Sequence, residues 1–156
     1  MDVIRNNADR LDGLAQLQAM ITAGKQPPIA ETLGFTLVEI ESGRAVFEGT
    51  PGQHVFNPIG SVHGGYAATL LDSACGCAVH SMLSADQGYT TLELKVSFHR
   101  ALTGKSGTVR AEGTVLSIGR RAGFAEAKLV DATGKLCASA TSTLLVFDID
   151  PSTIKT

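Results

Sequence analysis

Apolar and polar positions alternate in recognisable periods along most of the chain. The longest periodic stretch runs from Asn57 to Met82, NPIGSVHGGYAATLLDSACGCAVHSM. Tyr66, Ala67, Leu70, Leu71, Ala74, Cys75, Ala78, Val79 and Met82 recur at three- and four-residue steps, the period of an α-helix. Thr69, Asp72, Ser73, Gly76 and His80 recur on the other side as a narrow polar or small stripe. A helix apolar over so wide a face is buried. A carboxylate within it, Asp72, is costly unless it is paired, hydrogen-bonded or wet.

The flanking patterns build the rest. Leu11, Leu14, Leu17, Gln18 and Ile21 predict an amphipathic helix over Ala8–Ala23, stopped by Gly24. Lys25-Gln26-Pro27-Pro28 reads as a connector, because paired prolines do not continue a helix. Leu33–Glu41 and Arg44–Thr50 read as strands joined by a Ser42-Gly43 hairpin turn, and Pro51-Gly52 ends the second. After the central helix, Thr90–Phe98 alternates. Thr91, Glu93, Lys95 and Ser97 form one face; Leu92, Leu94, Val96 and Phe98 form the other. Thr108–Ile118, Ala122–Val130 and Lys135–Phe147 complete the strands, separated by turns at Gly119-Arg120-Arg121 and Asp131–Gly134. The order is strand, strand, helix, then four strands in meander style. That predicts an α+β fold, one long helix against a curved antiparallel sheet of about six strands, with an N-terminal helix outside it. The expected division is 1–31 for the N-terminal helix and linker, 32–147 for the main domain and 148–156 for a frayed tail.

Composition narrows the class. The chain has 156 residues, one domain's worth, with 44% hydrophobic and 18% charged residues, so it is globular. A net charge of -2 argues against nucleic-acid or anionic-membrane partners. Three cysteines without framework spacing indicate a reducing, cytoplasmic setting. No apolar run reaches the roughly 18 residues of a membrane span, and Met1–Asn7 lacks the apolar core of a signal peptide.

The candidate chemistry starts at Gly64 and Gly65, where the first backbone N–H groups of the helix have no partner within it. Such a helix end can hold an oxyanion or a polarised carbonyl oxygen. Asp72 lies roughly 12 Å further along the axis, so one carbonyl cannot touch both groups of one helix. If both act on one atom, the second comes from another copy, which predicts a two-fold dimer with shared sites. Burial suits Asp72 to general-base work. Taken alone, Asn57 caps a turn before Pro58, and Thr91 is an ordinary strand threonine. His54, His80 and His99 lack metal spacing, and no zinc ligand cluster is present. No serine stands in a nucleophile elbow and no cysteine has an evident base. Arg120 and Arg121 are either a solvated hairpin tip or a phosphate contact, with Lys95, Arg100 and Lys105 as weaker candidates.

The pattern Asn57-Pro58-x-Gly60-x-x-His63-Gly64-Gly65, then Ala67-x-Thr69-Leu70-x-Asp72, together with Thr91–Phe98, resembles the hot-dog fold. More narrowly it is similar to acyl-CoA thioesterases of the phenylacetate-degradation type, including 4-hydroxybenzoyl-CoA thioesterase-like proteins. The likeness covers about Thr32–Phe147. It implies that Gly64 N–H polarises the thioester carbonyl and that Asn57 helps hold that oxygen or the water. It implies Asp72 of the facing subunit as base or nucleophile, Thr91 orienting the water, and His63 fixing the loop or aiding carbonyl binding. Gly65, Tyr66, Arg120 and Arg121 would bind substrate. The resemblance implies no metal or redox cofactor, since coenzyme A is part of the substrate. It implies a homodimer as the minimal active unit and a homotetramer as the assembly. Hot-dog folds also host hydroxyacyl-CoA dehydratases and hydratases, and a non-catalytic acyl-CoA binding module is the third reading.

Overall fold

The computed structural model describes residues 10–150. The first helix, α1, spans Gly13–Thr22, and the Asp12 carboxylate caps it by accepting from Ala15 N–H at 2.9 Å. It is shorter than the Ala8–Ala23 periodicity: Arg10–Asp12 precede it in non-helical conformation, and Ala8 lies outside the described residues. The proline pair does not form a plain connector. Pro28 opens a short second helix, α2 (Pro28–Leu33), because a first-turn proline gives up only an N–H that has no helical partner. Gly34 ends α2 at φ 75°, so Leu33 is helical and the first strand starts at Phe35.

The strands are β1 (Phe35–Glu41), β2 (Arg44–Gly49), β3 (Gln87–Phe98), β4 (Val109–Ile118), β5 (Ala122–Val130) and β6 (Leu136–Asp148). Between β2 and β3 lies the long helix α3, Gly64–His80. The six strands form one antiparallel sheet in the order β1-β2-β4-β5-β6-β3. The meander holds for β4, β5 and β6 only. After α3 the chain lays β3 beside β6 at the far edge, then returns to place β4 beside β2. The outer part of the tail, 151–156, lies outside the described residues.

The sheet curves around α3. Leu70, Leu71, Ala74, Cys75, Ala78 and Val79 are fully buried against it. Two glycines allow close approach: a Cβ on Gly113 would stand 2.4 Å from the Ala74 backbone, and one on Gly123 3.0 Å from Val79. The uncovered side of α3 carries Ala68, Thr69, Asp72, Ser73 and Cys77, all half-buried. Gly76 and His80, expected in that stripe, are buried instead. The Tyr89 ring packs on Gly76, and His80 packs against Gln16 of α1.

The alternation read along β3 breaks at Leu92. Thr91 pairs with Leu144 and Glu93 with Thr143, which leaves Leu92 as an extra residue in a bulge. One inserted residue reverses the facing of everything after it. Tyr89 and Thr91 therefore face α3 before the bulge, while Leu94, Val96 and Phe98 face it afterwards. Strict alternation would have put Thr91 and Leu94 on opposite faces.

The two sheet edges differ. On β1, the Leu37 N–H donates to Gln26 Oε1 at 3.1 Å, and α1 and α2 pack alongside. On β3 the outer side has no strand beside it among the described residues, and Leu92 is 61% exposed. No helix among the described residues is long and apolar enough to cross a membrane.

Candidate active site

The loop before α3 is built to deliver its N-terminus. Asn57 Oδ1 accepts from the N–H groups of Ile59 and Ser61, both at 3.1 Å, and its Nδ2 donates to Ser61 Oγ at 2.9 Å. Gly60 N–H closes the turn on Asn57 O at 3.1 Å, with Gly60 at φ 85°. Val62 N–H reaches Leu102 O and His63 N–H reaches Val55 O, which pins the chain on both sides. Asn57 thus spends its side chain on this loop.

His63 is the N-cap of α3. Its Nδ1 accepts from Gly65 N–H at 2.8 Å, and its carbonyl accepts from Tyr66 N–H at 3.0 Å. An accepting Nδ1 carries no proton, so the ring's proton sits on Nε2, which is a donor. Of the first three helical N–H groups, only that of Gly64 donates to nothing among the described residues. Gly64 lines a cavity of about 290 Å³ together with Val62, His63, Ala67, Phe98, Leu102 and Ala138, among others.

Midway along α3 stands the carboxylate. Thr91 Oγ1 donates to Asp72 Oδ1 at 2.9 Å. One oxygen of Asp72 is thereby held, while the half-buried side chain keeps access to the open face of α3. Along β3, Thr91 and Phe98 are separated by roughly 20 Å at strand rise. One chain therefore carries two half-sites: the Gly64 cavity, where α3 starts and β3 ends, and the Asp72–Thr91 pair, midway along α3 and within β3.

A family model described as the thioesterase superfamily matches residues 59–138, just over half of the chain. The chain belongs to the thioesterase superfamily. It is 26% identical over 118 residues to a 1,4-dihydroxy-2-naphthoyl-CoA hydrolase of Listeria monocytogenes, covering 76% of this chain and 94% of that one. A conserved protein of Pseudomonas aeruginosa superposes with a TM-score of 0.73 at 30% identity, covering 78% and 95% of the two chains. The Escherichia coli PaaI protein from the phenylacetic acid degradation operon superposes with a TM-score of 0.76 at 22% identity, covering 90% and 99%; that likeness carries the fold alone. The expected hot-dog fold is the observed one, and the protein is a thioester hydrolase.

In this thioesterase the other residues read from sequence are distributed unevenly. The Gly65 amide is taken by His63, and a Cβ there would stand 2.9 Å from His63 Nδ1. Tyr66 is buried and directed into the core, its hydroxyl where a Cβ on Gly49 would fall at 2.3 Å. Burial pushes its phenol up to about 12. Arg120 and Arg121 are exposed at the β4–β5 hairpin. Their neighbour Ala122 is in register with Leu145, which pairs with Thr90, so the basic tip lies at the Thr91 end. Burial, with the Asp72 charge adding to it, pushes the Cys75 and Cys77 thiols each up to about 12. Both stay protonated at neutral pH and are not nucleophiles. Among the described residues no three His, Cys, Asp or Glu side chains cluster as metal ligands would. The sequence reading set His99 aside for lack of metal spacing, gave Phe98 no site role and did not foresee the Leu92 bulge. An aromatic residue ending a strand carries no functional mark, and a bulge leaves none in composition.

Proposed function

We propose that this thioesterase hydrolyses acyl-CoA thioesters of the phenylacetate-degradation class at two sites shared across a homodimer. The observation that carries the reading is the separation of the free Gly64 N–H from the Asp72–Thr91 pair along one open edge strand. Antiparallel pairing of two β3 edges about a two-fold axis near Leu94 and Lys95 sets Thr91 of one copy beside Phe98 of the other. The Asp72 of one copy then faces the Gly64 cavity of the next, and the basic Arg120–Arg121 tip of the copy that supplies Asp72 lies toward the same site, where guanidinium suits the phosphates of coenzyme A. The long unpaired edge supports such pairing, since exposed edges are otherwise covered or blunted.

In the proposed reaction the substrate carbonyl oxygen takes the hydrogen bond from Gly64 N–H. Thr91 holds one Asp72 oxygen, and the other accepts a proton from water as that water attacks the carbonyl carbon. The resulting oxyanion stays on the Gly64 amide. Collapse breaks the C–S bond, and the leaving thiolate takes the proton back from Asp72. The products are the free acid and coenzyme A, with no metal or redox cofactor involved. His63 positions the helix end and offers Nε2–H as a donor. Its engagement at the cap supports hydrolysis over a His–acid elimination.

The test is thiol release from short, long, phenylacetyl and hydroxybenzoyl CoA thioesters. Asp72→Asn should lose at least about 100-fold in kcat on whichever member turns over. Full turnover by that variant would overturn the mechanism.

A further inference from the structure

Glycine at position 64 is not demanded by its backbone. It is the first residue of α3, and it is absent from the glycines with positive φ. What crowds a side chain there is Phe98: a Cβ on Gly64 would stand 3.2 Å from Cζ and 3.4 Å from Cε1 of that ring. Both residues line the same cavity. The ring reaches this place only because the bulge at Leu92 turns Phe98 toward α3. Phe98 is 59% exposed, a large apolar side chain that contributes little to the core.

We infer that Phe98 is a positioning residue that shields the Gly64 amide from bulk water. This rests on the reading that Gly64 N–H receives the carbonyl oxygen. A hydrogen-bond donor in a water-excluded site stabilises developing negative charge far more than the same donor in water, and it needs no solvent rearrangement as the reaction proceeds. The distal edge of the ring stands at the helix end that carries this amide, and both line the cavity that would take the carbonyl oxygen. The side chain missing at position 64 is what allows the ring to lie so close.

The experiment compares wild type, Phe98→Ala and Phe98→Leu by steady-state kinetics, native mass and residue-resolved amide exchange. Phe98→Ala should lower kcat about tenfold while KM stays within about twofold. Phe98→Leu, which keeps an apolar cover, should recover most of the loss. Exchange at the Gly64 amide should accelerate several-fold in Phe98→Ala, with Gly65 and Tyr66 unchanged because His63 holds both. Unchanged kcat in Phe98→Ala would overturn the inference. So would a loss of activity that tracks dissociation of the assembly, which would assign Phe98 to subunit contact. Asp72→Asn serves as the reference. If it is inactive while Phe98→Ala is fully active, only the shielding falls. If it retains full turnover, the Asp72 mechanism falls, and the shielding still stands or falls on Phe98→Ala alone.

Discussion

At the scale of single residues, the site depends on which polar groups are already occupied. His63 takes the Gly65 amide and Asn57 is used by its own turn, so the donor left over is Gly64 N–H. Asp72 was legible in the sequence because a carboxylate in an apolar helix is an anomaly. Its partner was legible only through the family resemblance, since by itself Thr91 looked like any strand threonine; the 2.9 Å hydrogen bond joins the two directly. A hydrogen bond to an ionised group contributes about 1.5–3 kcal/mol. Thr91→Val should therefore reduce kcat roughly 10- to 100-fold, while Thr91→Ser, which keeps the hydroxyl, should stay close to wild type. Parallel kcat measurements on the two variants check this, and equal activity of all three proteins would remove Thr91 from the mechanism.

At the scale of elements, α3 and β3 matter most. The helical period of α3 was readable almost to the residue, since its apolar face is long and continuous. The small helix α2 was missed, because a proline pair gives the same signal whether it ends a helix or starts one. The bulge in β3 was missed as well, although it decides that both Thr91 and Phe98 face the helix. At its C-terminal end α3 is tied to α1. Gly13 packs on the His80 carbonyl, and His80 Nε2 bonds Gln16 Oε1 at 2.9 Å, while Nδ1 is buried without a partner among the described residues. Burial lowers the His80 imidazole below its ordinary 6.5, so the unfolded chain binds a proton there before the folded one does. Stability from this group is complete above that range and declines as pH falls through 6.5 toward the depressed folded value. The slope is at most about 1.4 kcal/mol per pH unit. Thermal melts from about pH 7.5 to 5 should show this decline in the wild type and a flatter profile in His80→Gln. Identical profiles would place the pH dependence elsewhere.

At the scale of the whole molecule, one sheet edge is flanked by α1 and α2, and the other has no strand beside it among the described residues. The two half-sites are set apart along that second edge, at Thr91 and at Phe98. Complementation tests whether they meet across copies. Asp72→Asn and Gly64→Val are each expected to be inactive alone. Mixed at equal amounts under exchange, they form heterodimers in which one site carries both lesions and the other carries neither. Random pairing should restore about a quarter of wild-type activity. No recovery despite confirmed heterodimers would place each site within a single chain.

The sequence by itself determined the class of fold, the central helix, the acidic residue inside it and the glycine step at its start. These follow from local periodicity and from a charge out of place, and both are written residue by residue. Only the tertiary structure decided that β3 crosses to the far edge and that one bulge turns Thr91 and Phe98 to the same face. Only the structure showed that, of the first three amides of α3, Gly64 alone donates to nothing among the described residues. These depend on contacts between segments far apart in the chain, where a single inserted residue or a single hydrogen bond selects among arrangements that local pattern leaves equal.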